Sequence, residues 1–250
     1  MIDMGKKVAE QLVDTLIEAG VRRIYAVTGD SLNEVNEAVR QNEAMKWIHV
    51  RHEETGAYAA GAEAQLTGLP GCCAGSSGPG HVHLINGLYD AHRSGAPVIA
   101  IASTIPTGEF GTEYFQETNT IKLFNDCSFY NEVATTPQQF PRMLQSALQT
   151  ATTRKGVAVI GLPGDLAKKP AAQVESSEQI YPLASSVCPA EEDLIRMAGM
   201  LNHYGRITLF CGIGCKGAHE EIIRMSEILN APVAYTFKGK MEVQYDNPYE

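Results

Sequence analysis

The sequence predicts an α/β fold: a doubly wound parallel sheet, followed by the start of a second, smaller α/β domain. Three observations carry that reading. Short apolar segments alternate with helical patterns through the first two-thirds of the chain, as in a parallel sheet covered on both faces. One segment, Pro97-Val98-Ile99-Ala100-Ile101-Ala102, is apolar throughout, as a central parallel strand should be. Glycine turns close several of the expected strands.

Taken in order, Val8, Leu12, Val13, Leu16 and Ile17 make one apolar helical face, and Gly20 stops that helix. A strand over 23–27 runs into the turn Thr28-Gly29-Asp30-Ser31 and a second helix. Trp47-Ile48-His49-Val50 reads as a buried strand. It leads through Arg51-His52-Glu53-Glu54 into an alanine-rich, close-packed helix from Thr55. After a turn over 67–71, a strand over 72–75 meets Gly78-Pro79-Gly80 and a helix carrying His83, Leu84, Asn86 and Leu88. A helix over 140–152 precedes the strand over 157–161, which stops at Leu162-Pro163-Gly164.

The first domain is thus expected over 1–167 and a Pro-, Ser- and Gln-rich linker over 168–189. The beginning of a second domain follows over 190–250, with helices over 191–203 and 218–229 and strands over 207–211 and 232–237. Two parallel strands in about 60 residues bury too little to stand alone. The chain is therefore expected to be truncated or to lean on another chain.

Of the 250 residues, 44% are hydrophobic and 20% charged, the balance of a globular protein. The net charge of -9 argues against nucleic-acid binding through backbone phosphates. No apolar run of about 18 residues occurs, and the first seven residues lack the apolar core of a secretory signal. A cytoplasmic location is the default expectation. The six cysteines form neither a CxxC pair nor a zinc spacing, so buried free thiols are expected.

A carboxylate at the C-terminal edge of a strand lies where such folds bind ligands, which singles out Glu53. Glu53 and Glu54 equally suit a helix N-terminus, where the dipole favours acids. Gly29 and the turn Ser76-Ser77-Gly78-Pro79-Gly80 would join Glu53 around one crevice, although each could be an ordinary strand-to-helix turn. Phe115 and Gln116, in a long loop, suit a pocket that stacks and orients an organic ligand; surface packing is the alternative. His83 reads as a pocket donor or a satisfied helix histidine, and His81, His83 and His92 make no metal site at helix spacing. Gly212-Ile213-Gly214-Cys215-Lys216-Gly217 is a GxGxxG, but the next strand ends at Thr236-Phe237-Lys238 without the acid that would hold a ribose. That argues against a nicotinamide-dependent dehydrogenase. The glycines either let backbone approach another ligand or permit tight packing.

In order, VTGDSLN (27–33), RHEE (51–54), AGAEAQLTG (60–68), GPGHVHLINGLYDAHR (78–93), YFQET (114–118), LPGD (162–165) and CGIGCKGAH (211–219) resemble the thiamine-diphosphate-dependent decarboxylases and oxidases. The likeness covers essentially the whole chain and is greatest to the quinone-dependent pyruvate oxidase branch. Acetolactate synthases share the acid, the GPG turn and the Phe-Gln pair, but usually carry Asn where His83 stands.

The resemblance implies a pyrimidine-binding first domain in which Glu53 hydrogen-bonds the aminopyrimidine of thiamine diphosphate. A sheltered carboxyl can share a proton rather than give it up, which favours the imino tautomer that deprotonates the thiazolium carbon. Gly29 would meet the ring through its backbone, Pro79 and His83 would line the crevice, and Phe115 and Gln116 would close over the reacting carbon. Glu54 keeps the helix-dipole reading. Pyruvate would lose carbon dioxide with the thiazolium as electron sink, and two electrons would pass to FAD and then to quinone. Gly212 and Gly214 would touch the FAD. The Mg2+ and diphosphate signature belongs to a third domain missing here, as are most of the flavin segment and a membrane-associating C-terminus. The resemblance further implies a homo-oligomer, dimer or tetramer, peripheral to the membrane when full-length, and a fragment inactive by itself. An acetolactate-synthase-like carboligase and a non-catalytic dimerisation or regulatory module are the rival expectations.

Overall fold

The computed structural model describes residues 5–172 and 188–250. Most of the expected linker, 173–187, lies outside the described residues. The chain divides into two compact units, Met1–Ser185 and Ser186–Glu250.

The first unit opens with α1 (Val8–Glu18), β1 (Arg23–Ala26), α2 (Asn33–Arg40), β2 (Lys46–His49), α3 (Glu53–Thr67) and β3 (Gly71–Gly75). It continues with α4 (Pro79–Val82), α5 (Ile85–Arg93), β4 (Val98–Thr104), α6 (Thr120–Phe124), β5 (Tyr130–Val133), α7 (Phe140–Arg154), β6 (Val157–Pro163) and α8 (Gly164–Ala167). The strands form one sheet in the order β2-β1-β3-β4-β6-β5, every neighbouring pair parallel.

Side chains alternate across the sheet, and the two faces feed separate cores. Ile24, Ala74, Ile99, Ile101 and Ile160 face α1, α2 and α7, whose Leu12, Leu16, Val35, Leu144 and Leu148 pack there. Cys73, Ala100, Val157 and Val159 face the other way, against Ala57, Ala60 and Ala64 of α3 and Leu88 of α5. The sheet is therefore doubly wound, as expected. Cys72 and Cys73 are free, buried and on opposite faces; burial pushes the Cys72 thiol well up and the Cys73 thiol up to about 12.

Three details differ from expectation. Trp47 and its neighbours form an edge strand and are only partly covered, because β2 has one partner. The edge strand β5 was not expected, since Asn131 and Glu132 interrupt its apolar pattern. The helix expected to carry His83 is two helices, and His83 lies at the break between α4 and α5. At the unit's close, residues 168–172 stay attached rather than acting as linker: the Val8 amide donates to Lys169 O (3.0 Å) and the Ala171 amide to Lys6 O (2.7 Å).

The second unit holds α9 (Glu191–His203), β7 (Leu209–Cys211), α10 (His219–Leu229), β8 (Val233–Tyr235) and α11 (Lys240–Val243). Its two strands are parallel and its buried cluster is Cys211, Val233 and Val243. Among the described residues, no helix is long and apolar enough to cross a membrane.

The small residues of α3 are there for proximity. A Cβ on Gly71 would stand 2.1 Å from the Ala60 carbonyl oxygen, and one on Gly87 would stand 2.5 Å from the Ala57 Cβ. Helix α3 therefore sits in backbone contact with β3 and α5, which holds its N-terminus in place. Gly68, by contrast, is needed only for its left-handed φ of 73°, with open space around it. Gly71→Ala is expected to cost about 3 kcal/mol in urea unfolding, since it forces backbone apart. Gly68→Ala should cost about 1–2 kcal/mol; equal effects would refute this account of the α3 contact.

Candidate active site

Strand β1 leads to α2 on one face and β3 leads to α4 and α5 on the other, so a crevice opens at the carboxyl ends of these adjacent strands. Three loops meet there. Gly29 follows β1, and a Cβ on it would fall 2.4 Å from the Ser76 Cβ. The glycine thus permits close contact between two loops of the same chain. The Ser77 amide donates to Ser31 Oγ (2.9 Å), and Ser103 Oγ donates to Ser31 O (2.9 Å), which ties the β1, β3 and β4 loops together.

Glu53 enters from β2 as the first residue of α3, capped by His52, whose Nδ1 accepts from the Glu54 amide (3.3 Å). Glu53 is only 8% exposed. Its Oε2 lies 3.0 Å from His83 Nδ1, so one hydrogen joins the two groups. A Cβ on Gly80 would stand 3.3 Å from Glu53 Oε1, so the absence of a side chain at Gly80 leaves that oxygen uncrowded. Glu54, one residue on, faces elsewhere and accepts from Asn86 Nδ2 (3.0 Å). Both acids complement the helix dipole, but only Glu53 is buried in the crevice.

Pro79 opens α4 and His83 follows it, both exposed at the rim. The imidazoles of His52 and His83 stack, with centroids 4.4 Å apart. The ligand atoms of His52, Glu53 and His83 lie within 4.8 Å of one another, a grouping the helix-spacing argument missed because His83 arrives from another element. Its position at a helix N-terminus, where the dipole opposes positive charge, weighs against a cation there.

Gln116 reaches the GPG turn. Its Oε1 accepts from Ser77 Oγ (3.0 Å), and a Cβ on Gly78 would lie 2.7 Å from the Gln116 Cβ. Gln116 has a φ of 68°, a left-handed conformation that costs a side-chain-bearing residue about 1–2 kcal/mol and must be held by its surroundings. Phe115 is not brought to Glu53's shelter: it is 81% exposed. The start of this loop is clamped by Asp165, which accepts from the Thr107 amide (2.9 Å) and hydroxyl (2.7 Å).

In the second unit, a Cβ on Gly212 would come no nearer than 3.7 Å to Thr236 Oγ1, and nothing lies within 4 Å of one on Gly214. Packing within this unit does not call for glycine at either position. The motif itself holds a short 3-10 turn over Ile213–Cys215 and ends at a left-handed Gly217 before α10 begins.

Residues 6–123 match the thiamine pyrophosphate enzyme N-terminal TPP binding domain, and residues 194–250 match the central domain of the same enzymes. The chain belongs to the thiamine pyrophosphate enzymes, of which it carries these two domains. An uncharacterized 42.6 kDa protein of Pseudomonas amyloderamosa is 50% identical over 98% of this chain and 62% of its own length. Pyruvate oxidase of Lactiplantibacillus plantarum is 34% identical over 88% of this chain and 37% of its own length. The chloroplastic acetolactate synthase of Arabidopsis thaliana is 29% identical over 95% of this chain and 36% of its own length. The chain thus spans less than two thirds of each of these relatives.

Burial alone would raise the Asp165 carboxyl, but the two Thr107 bonds and the Lys169 charge outweigh it and hold the group below its ordinary value. A depressed carboxylate contributes stability that is complete above the unfolded value of about 4 and is lost as pH falls through the folded value. Hydrogen exchange over 107–114, taken relative to the intrinsic rate at each pH, is therefore expected to stay slow at neutral pH and to accelerate in acid below that window. Asp165→Asn should accelerate it at neutral pH and flatten the dependence. An unchanged acid profile in the variant would remove Asp165 from the clamp.

Proposed function

We propose that this chain supplies the pyrimidine-facing half of the active site of a thiamine-diphosphate- and FAD-dependent enzyme that oxidatively decarboxylates pyruvate and passes electrons to quinone. The observation that carries the reading is the buried carboxylate of Glu53, set where three strand-end loops meet. His83 holds one carboxylate oxygen and leaves the other beside Gly80, so the two oxygens have separate tasks. Oε2 fixes the orientation of the group; Oε1 is left to share a proton with a ring nitrogen of the cofactor.

When bound, the thiazolium supplies the nucleophilic carbon and the electron sink for loss of carbon dioxide. The chain's own part is to shelter and orient the proton held at Glu53, and to present Gln116 from the loop locked onto Ser77. Removing water from around the carboxylate strengthens its hydrogen bond to a ring partner. Gly212 and Gly214, bare and free of packing demands, would hold FAD through backbone contact. Mg2+ and the diphosphate would be held by residues outside this sequence. The likeness to pyruvate oxidase and the histidine at position 83 support the oxidase reading, while the likeness to acetolactate synthase keeps a carboligase as the second reading. The full-length protein is proposed to work as a homo-oligomer in the cytoplasm, peripheral to the membrane where it meets quinone.

In the full-length protein, Glu53→Gln is expected to lower pyruvate decarboxylation about 100-fold or more, the usual loss for an acid–base group. Undiminished turnover would overturn the role given to Glu53. Acetolactate formed without any quinone reduction would replace the oxidase reading with the carboligase one.

A further inference from the structure

We infer that His81 is a positioning residue for the loop over 105–119, fixing Gln116 against the crevice through Thr118. Its catalytic meaning rests on the reading of Gln116 given above; its structural content does not. No equivalent role follows from the sequence, where His81 is simply the residue after the GPG turn.

The imidazole is 1% exposed, and both nitrogens are engaged. Nδ1 lies 2.7 Å from Ser103 O at the end of β4. A carbonyl only accepts, so Nδ1 carries the hydrogen, and in the neutral ring Nε2 is then the acceptor for the Thr118 hydroxyl at 2.5 Å. Burial lowers the imidazole pKa against the opposing effect of the Ser103 bond, which keeps the ring neutral. The anchor beneath is itself tied in, because the single Ser103 hydroxyl hydrogen is shared between Ser31 O (2.9 Å) and Leu162 O (3.1 Å). The ring also meets the edge of Phe124, a fully buried residue of the helix that follows the loop.

Thr118 is two residues beyond Gln116, whose left-handed backbone has to be held in place from outside. Ser77 holds the Gln116 side chain, Asp165 holds the loop at Thr107, and His81 holds it at Thr118. A buried ring that joins the GPG turn, the end of β4 and this loop carries the register of all three. Its loss leaves a carbonyl and a hydroxyl without partners, a cost that falls on the loop rather than on the sheet, whose ladder is otherwise complete.

Hydrogen exchange read by mass spectrometry on the full-length protein tests this. His81→Asn keeps a donor for Ser103 O but cannot reach Thr118, His81→Gln reaches Thr118, and Thr118→Val removes the hydroxyl. Exchange over 110–118 is expected to rise about tenfold in His81→Asn and in Thr118→Val, with no change in β3 or β4, and to return towards normal in His81→Gln. The double variant His81→Asn/Thr118→Val should be no faster than either single one. In the same variants turnover should fall at unchanged thiamine diphosphate affinity. Wild-type protection over 110–118 in His81→Asn, or deprotection spread evenly through the sheet, would overturn the proposal. Loop deprotection with full turnover would overturn the link to catalysis. If Glu53→Gln were equally harmless, the failure would lie in the functional reading, while the exchange data would still decide the clamp.

Discussion

The bond between His83 and Glu53 is the interaction on which the site depends. A carboxylate drawn out of water is costly unless hydrogen bonds replace its hydration. Here the replacement comes from an imidazole on a separate element, 30 residues further along the chain. Helix α3 alone could not supply it. Its positive N-terminus favours the charge of Glu53 and Glu54 alike, so the dipole cannot explain why one is buried and the other is not. The difference lies in what stands opposite each: His83 against Glu53, Asn86 against Glu54.

That bond needs the α3 N-terminus and the α4–α5 break to be held at a fixed separation, and backbone contact does the holding. Gly71 brings β3 against Ala60, and Gly87 brings α5 against Ala57. Such contacts leave little slack, because a single added methyl has nowhere to go in a close-packed interior. The alanine-rich composition of α3 is thus a statement about distance. It delivers a carboxylate to within reach of a histidine from another element.

Much of the sheet was legible because β3, β4 and β6 are buried on both faces and are correspondingly small or apolar. What escaped lay at the edges. In β5 only two of four residues are apolar, Tyr130 and Val133, and β2 carries Trp47 and Ile48, the pattern of a buried strand, although it closes the sheet. The short, half-polar pattern of β5 suits an edge strand but reads equally as a loop until its pairing is seen. Within the site, Glu53, His83 and the glycine turns could be picked out from their places at strand ends. Their tethers could not. Ser31, Ser77, Ser103, His81 and Asp165 act through partners between 22 and 72 residues away, and no local spacing announces such pairs. Phe115 and Gln116 are neighbours in sequence, yet only Gln116, with its left-handed backbone, meets the crevice, while Phe115 stays exposed.

The same geometry separates two uses of glycine that a sequence writes identically. At Gly71, Gly75 and Gly87 a Cβ would strike backbone or side-chain atoms of the chain itself at 2.1–2.5 Å, so packing accounts for the residue fully. At Gly68 and Gly217 a left-handed φ accounts for it. Gly214 meets neither condition: its surroundings are open, and its φ is not in the positive range. Gly212 is close to that state, with its nearest neighbour at ordinary contact distance. A glycine that neither fold nor backbone requires gives up conformational order in return for bare backbone. Bare backbone at the end of a strand has value to a ligand that must come closer than a side chain would allow. Among the described residues, close packing therefore does not call for glycine at 212 or 214, in contrast to Gly71, Gly75 and Gly87.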